Sequence, residues 1–535
     1  CALRRLHRLE DALEALQRAA VFQPADPDTL VNLGIVLYEL GRTDEAIRCY
    51  RRCAELHPDN GVARWRSLLT LPILYEHPEE IGQWRECFRE GLDTLIATTD
   101  LTDPGQRRSA LAAAAQHCNF YLQYQCEDDT ALQAHYGTFL HRLMAAAYPQ
   151  WCVTPSADRP SGEKIRVGYL SAHLYEHNGG QWALGWLQHH DRNQFELYCY
   201  HVGSTQDAVT ERFRQLSDHF HHIPDALEAA AHQVHSDRLH VLVFTDLGMS
   251  PLATQLAALR LAPVQCTAWG HPVTSGLPTI DYYLSSEAME PEDGDSHYTE
   301  QLVRLPRLGL CFERRSLAPT PQSRADFLLP EGKIIYLSSQ SLYKYLPQYD
   351  GVYPRIAAQV PGAHFVFIVH ASTGITEQFR QRLRRAFAAV GLESDQYVTL
   401  IPRLNVSGFR EMHRVVDVCL DTIGWSGGNT SLEALACQRP VVTLPGRFMR
   451  GRHTGAMLQV IGVTEMIACD LDNYVEIAVR LGLDSEWRAE ISRRIAAGCD
   501  RLFEDAACVA ALDAFYREVA AHACSATPVT PDRLR

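Results

Sequence analysis

The sequence has no apolar run approaching the roughly 20 residues that a membrane-spanning helix needs. It has no excess of positive charge: Lys+Arg is 50 and Asp+Glu is 64, a formal net charge of −14. Wrapping nucleic acid takes clustered cations that displace counterions, so this balance argues against a nucleic-acid partner. The 16 cysteines form no CxxC pair. In a chain this long they read as unbridged thiols in a reducing compartment. No signal peptide is expected from the first residues given, which begin at Cys1 rather than Met, so the true start is expected to lie before them. These absences exclude membrane-spanning, collagen-like, disulfide-scaffold and disordered classes, and the expected location is cytoplasmic. What remains is an ordinary globular composition, 46% hydrophobic and 21% charged, over 535 residues, enough for about three domains.

The first 60 residues repeat. Ala12, Leu16, Ala19 and Pro24 recur 34 positions later as Ala46, Tyr50, Cys53 and Pro58. With Leu30, Leu33, Gly34, Leu37 and Gly41, this period marks tetratricopeptide repeats. Gly34 and Ala46 are expected where two helices cross, since larger side chains would push them apart. One repeat cannot bury its own apolar face, so neighbours must stack into a superhelix with a concave groove for a protein or peptide. The first copy lacks its leading helix, so a longer array cut short at Cys1 is expected. The third period fails, with Glu80 where the small residue belongs. Residues 61–155 read as divergent helical hairpins joining the array to the remainder of the chain.

A linker is expected over Pro149–Pro160, and after it the texture changes to short apolar runs between helical stretches. One set of strands is expected at Ile165–Ala172, Phe195–Val202, Val241–Thr245, Pro263–Trp269 and Tyr282–Ser285. A second is expected at Ile334–Ser338, Phe365–Val369, Tyr397–Ile401, Val416–Leu420 and Val441–Leu444. Continuous apolar strands alternating with helices predict parallel sheets covered on both faces. This pattern gives two doubly wound lobes, 163–318 and 325–535, the second including the terminal helices. Pro319 and Pro321 mark the break between them. In such sheets ligands sit beyond the carboxyl ends of the strands, here in a cleft between lobes.

In the second lobe a strand ends at Asp421, a glycine-rich loop comes next (Gly424, Gly427, Gly428), and a helix starts near Asn429. Such a start offers backbone N–H groups and a positive dipole end to a phosphate. Thr430 and Ser431 add hydroxyls, and Glu433 is placed to accept from a ribose hydroxyl. Ser341 and Lys344 leave the lobe's first strand, in a stretch poor in lysine. Lys344 is placed to neutralise a diphosphate. In the first lobe His177 and His271 lie beyond strand ends, and a neutral His177 suits a general base. His219-Phe220-His221-His222 is explained by strand alternation. The Asp26/Asp28, Asp293/Asp295 and Asp470/Asp472 pairs read as turns, a loop and a helix start, so no metal site is expected.

These segments, in this order, resemble the O-GlcNAc transferase/SPINDLY-like glycosyltransferases: Ile165–Ser171 with His177, Gly270–Gly276 with Asp281-Tyr282, Leu342-Tyr343-Lys344, and Val418–Thr422, preceded by the repeats. The chain looks like a bacterial-type member without the long insert between lobes. The resemblance implies an α/β GT-B fold of two Rossmann-like lobes behind a tetratricopeptide-repeat superhelix. It implies a nucleotide-sugar donor, inversion, no metal or other cofactor, and no membrane partner. By the same resemblance Lys344, Asn429 and Thr430 contact the diphosphate and Glu433 the ribose. His177 stands near the reacting centre, with His240 and Asp237 as further catalytic candidates. The family's histidine beside the diphosphate is lost in Ser426–Thr430, and Phe409 replaces one that flanks the uracil. The resulting expectation is transfer of GlcNAc from UDP-GlcNAc to Ser or Thr hydroxyls. The alternatives are fucose from GDP-fucose, glucose onto Asn, and a repeat-based scaffold with idle lobes.

Overall fold

The computed structural model of the chain describes residues 2–6, 8–156, 162–314 and 322–525. Pro160, Pro319 and Pro321, expected in linkers, lie outside them. Helices Leu9–Phe22, Pro27–Glu39, Thr43–Leu56 and Gly61–Leu69 form the repeat region. Asp26 caps the second of these, accepting from Thr29 N–H at 2.8 Å, and Pro27 occupies the first turn, where no N–H is needed. The glycine at 34 is a matter of space: a Cβ there would lie 2.4 Å from the Tyr50 ring. Ala46 and Tyr50 are fully buried beside Leu37. Helices Glu79–Ala97, Pro104–Ala114 and Thr130–Ala147 lie beyond the point where the period fails.

Two parallel sheets come next. The first comprises β1 (Ile165–Ser171), β2 (Phe195–His201), β3 (His219–His222), β4 (Val241–Phe244), β5 (Val264–Ala268), β6 (Tyr282–Ser286) and β7 (Gln301–Leu305), in the order β3-β2-β1-β4-β5-β6-β7. The second comprises β8 (Ile334–Ser338), β9 (Ala363–Ile368), β10 (Val398–Ile401), β11 (Val418–Leu420) and β12 (Val441–Val442), in the order β10-β9-β8-β11-β12. All pairings are parallel. β7 was not expected from the sequence, and β3 was read there only as strand alternation in His219–His222. Both are edge strands with partly exposed side chains, so neither carries a continuous apolar run. The β3 histidines pack on rings of β2: His219 on Tyr198, His221 on Tyr200 and His222 on His201.

The backbone gathers into two compact units. One contains the repeats, residues 121–127 and the five-stranded sheet through Phe503; the other contains residues 96–120, the stretch from Asp128 with the seven-stranded sheet, and residues 504–525. The expected joining segment 61–155 is therefore shared between units. The terminal helix Ala507–Ser525 belongs with the first sheet instead of the second. Its Tyr516 hydroxyl meets that of Tyr169 at 3.2 Å, Asp513 bonds His190, and the Phe515 ring packs on Tyr282. In the first unit the repeats pack on helix Thr373–Ala388, where Thr373 donates to Glu10 at 2.6 Å and Gln378 to the Gly41 carbonyl at 3.0 Å. Among the described residues no helix is long and apolar enough to cross a membrane.

Candidate active site

Beyond the end of β11, Asp421 is buried and accepts three hydrogen bonds: from Ser426 Oγ (2.6 Å), Gly427 N–H (2.7 Å) and Thr443 Oγ1 (2.7 Å). Burial pushes this carboxyl up, and the donors, Ser426 first, pull it back. The carboxylate thus folds the loop tightly onto itself. Gly427 is needed there, because a Cβ would lie 2.4 Å from Ser431 Oγ and 2.5 Å from Thr430 Oγ1. Helix Asn429–Ala436 starts at this loop, and its N-cap, Gly428, supplies no side-chain cap. A helix start of this kind points backbone N–H groups and the positive end of its dipole toward an anion.

Lys344 reaches this helix start through Gln340. Its Nζ donates to Gln340 Oε1 at 2.8 Å, and Gln340 Nε2 donates to Thr430 Oγ1. The ammonium lies 5.8 Å from the centre of the Trp425 ring, which stacks on Tyr124 at 4.1 Å. Burial pushes Lys344 down to about 8, against the pull of the Asp421 carboxylate. His453 is buried nearby and pushed to about 3 by burial and then by the Lys344 charge, so it is neutral. The structure thus brings Lys344, Gly427, Gly428, Asn429 and Thr430 together. Ser341 caps the turn that carries Lys344, whose N–H donates to the Ser341 carbonyl at 2.9 Å. Gln340, to which the sequence reading assigned no role, links cation to helix. Its only sequence signal was its place before Leu342-Tyr343-Lys344.

Two further residues expected at the donor lie on neighbouring helices. Both oxygens of Glu433, the residue expected at the ribose, accept from Arg410, at 2.5 and 3.0 Å. Phe409, beside Arg410 on helix Val406–Val415, packs edge-on against His413 at 4.6 Å.

In the unit of the seven-stranded sheet, His177 comes after β1 and His271 after β5, both at the carboxyl edge. His177 accepts from Gly179 N–H at Nδ1 (3.0 Å), and His271 is buried and stacked on Phe120 at 5.3 Å. His240 and Asp237 are not at that edge. His240 precedes β4, and its N–H bonds the Arg166 carbonyl near the amino end of β1. The ring accepts from Arg166 N–H at 2.9 Å. Asp237 ends helix Leu227–Ser236 and accepts from Tyr200 Oη at 2.7 Å. The strand register separates both from His177, in line with the place of His240 just before the start of its strand. The sequence reading also missed His173 and Asp246, which bond to each other at the carboxyl edge.

Among the described residues no three His, Cys, Asp or Glu side chains are grouped to hold a metal ion. Asp26 and Asp470 are helix caps, and Asp295 pairs with Arg304 at 2.6 Å.

Residues 116–317 and 310–504 match Glycosyl transferase family 41, and residues 27–60 match the Tetratricopeptide repeat. A SPINDLY protein of Arabidopsis thaliana, named a probable UDP-N-acetylglucosamine--peptide N-acetylglucosaminyltransferase, is 29% identical over 371 residues, covering 67% of this chain and 39% of that protein. The SPINDLY protein of Oryza sativa subsp. japonica carries the same name and is 28% identical over 398 residues, covering 71% of this chain and 41% of its own length. The chain thus spans about two fifths of these relatives. A solved O-GlcNAc transferase mutant from Thermobaculum terrenum has the same fold, with a TM-score of 0.71 at 24% identity over 98% of this chain and 96% of that one. The match to the family runs through both sheets and includes Lys344, the glycine-rich loop and His177: the chain belongs to Glycosyl transferase family 41.

Proposed function

We propose that the chain transfers GlcNAc from UDP-GlcNAc to Ser or Thr hydroxyls of a protein acceptor, with inversion and without a metal ion. One observation carries this reading: Lys344, Gln340 and Thr430 form a hydrogen-bonded line onto a helix start that has no side-chain cap. A diphosphate leaving group gains negative charge as the anomeric bond breaks. A cation and oriented backbone N–H groups already in place stabilise that charge without reorganising. The depressed Lys344 favours a working site over an idle one, because burying an ammonium is costly and an anion offsets the cost. The acceptor is a protein or peptide lying along the repeat groove. The names of the SPINDLY relatives support the donor and the peptide acceptor.

Titration calorimetry with UDP tests the site. Lys344→Ala should weaken binding about 10-fold or more, the worth of one charge-assisted hydrogen bond. Equal affinities for the two proteins would refute it. Transfer from labelled UDP-GlcNAc, UDP-glucose and GDP-fucose, read on the same preparation, identifies the donor.

A further inference from the structure

We infer that the base removing the acceptor proton is His173, positioned by Asp246, and not His177. This base assignment rests on the sugar-transfer reading above; the hydrogen bonds at the two imidazoles fix their tautomers.

A neutral imidazole has one N–H and one lone pair, and the bond made at one nitrogen fixes the role of the other. His177 Nδ1 accepts from Gly179 N–H at 3.0 Å. Its lone pair is therefore spent on the backbone, and Nε2 carries the proton. In that state His177 has no nitrogen with which to take a proton. His173 is arranged the opposite way. Its Nδ1 bonds Asp246 Oδ2, and a carboxylate there accepts, so Nδ1 carries the proton and Nε2 the lone pair. Nε2 receives no hydrogen bond from any described residue, and 16% of the side chain is open to solvent.

Neighbouring strands build this pair. His173 lies two residues past the end of β1 and Asp246 two past the end of β4, and β1 pairs with β4. The loop after β1 is fixed by His173 N–H donating to Ser171 Oγ at 2.8 Å. Asp246 is fully buried, and Thr245 Oγ1 lies 3.4 Å from its other oxygen. The His177 ring stacks on His173 at 4.3 Å and 24°, which fixes the plane of the base. Tyr175 stands 5.9 Å from the His173 ring. An aspartate on Nδ1 holds the tautomer and stabilises the imidazolium that forms when Nε2 takes a proton.

The step balances. The acceptor O–H bond breaks and its proton goes to His173 Nε2. The oxygen lone pair forms the new bond to the anomeric carbon. The old carbon–oxygen bond breaks and its electron pair leaves on the nucleoside diphosphate. The imidazolium then returns its proton to water.

Two measurements test this on the full chain. In ¹⁵N-histidine NMR, with signals assigned through His173→Gln and His177→Asn, the proton should sit on Nδ1 of His173 and on Nε2 of His177. A proton on Nε2 of His173 overturns the proposal. In turnover with UDP-GlcNAc and a synthetic Ser peptide mixture, His173→Ala should lower kcat about 10²–10⁴-fold, with UDP affinity by calorimetry unchanged. Added imidazole should restore part of the rate. The deficit should shrink on the matching Cys peptides at pH 9, because a thiol with a pKa of about 8.5 ionises without help. Asp246→Asn should lower kcat in the same sense. An active wild type with His173→Ala within threefold of it overturns the base assignment alone. A wild type that transfers no sugar from any donor in the panel overturns the transfer reading and this assignment with it.

Discussion

Lys344 shows how one residue couples chemistry to pH. Burial brings it from 10.5 to about 8, so in the empty protein the ammonium is present below about pH 8 and lost above it. UDP affinity should therefore fall as pH rises from 7 to 9.5, by about 10-fold, the worth of one charge-assisted bond. In Lys344→Ala that pH dependence should vanish, which calorimetry at the two pH values reads directly. For folding the sign is opposite. Between about 8 and 10.5 the unfolded chain binds the extra proton, so this group's contribution to stability rises with pH across that window. Glu433 makes a second case. Its side chain is 20% exposed and that of Arg410 13%. If the ion pair is its main role, Glu433→Gln and Arg410→Ala should each lower Tm. Their double-mutant cycle should show a coupling of about 0.5–3 kcal/mol. Loss of UDP affinity with no change in Tm would instead make Glu433 a ribose ligand.

At the scale of elements, the repeat pattern and the glycine-rich loop obey the same steric logic with different ends. Gly34 lets two helices approach, and Gly427 lets a loop fold under a helix start. Gly34→Ala should destabilise the protein. Driving a methyl into the Tyr50 ring costs about 1–3 kcal/mol, only partly offset by the helix propensity gain of about 1 kcal/mol. Adding Tyr50→Leu should recover part of the lost Tm, and a failure to do so would place the strain elsewhere. The helix and loop were legible in the sequence because their signals are local: small residues at a 34-residue spacing, an apolar strand, then glycines and hydroxyls. The edge strand β7 was not, and β3 showed only as alternation in His219–His222, because a half-exposed strand at the end of a parallel sheet shows no apolar run.

For the molecule as a whole, Arg382 ties distant parts of the chain. It is buried, holds both oxygens of Asp350 at 2.6 and 2.9 Å, and donates to the carbonyls of Tyr75 and Tyr345. Tyr75 comes after the repeats, while Asp350 and Arg382 belong to the region of the five-stranded sheet. Repeats and sheet should therefore open together. Arg382→Met should cost about 3–5 kcal/mol, because it leaves the Asp350 charge buried without its partner. Hydrogen exchange should then speed up in both Gly61–Leu69 and Thr373–Ala388. Faster exchange in the sheet helix alone would show that the repeats fold independently.

The sequence by itself determined the elements whose causes lie within a few dozen residues: the repeat helices, the central strands, and the loop and helix start that suit a diphosphate. Lys344 and Thr430 could be named from it as well. Which of 24 histidines can take a proton could not. That depends on which strand ends fall on the same edge and on which ring nitrogen a neighbour already holds. His240 and Asp237 were named from the family resemblance and lie at the amino edge, while His173 met Asp246 across β1 and β4. Sequence order encodes neither strand register nor tautomer. Both are set only when the strands pair and the loops beyond them close.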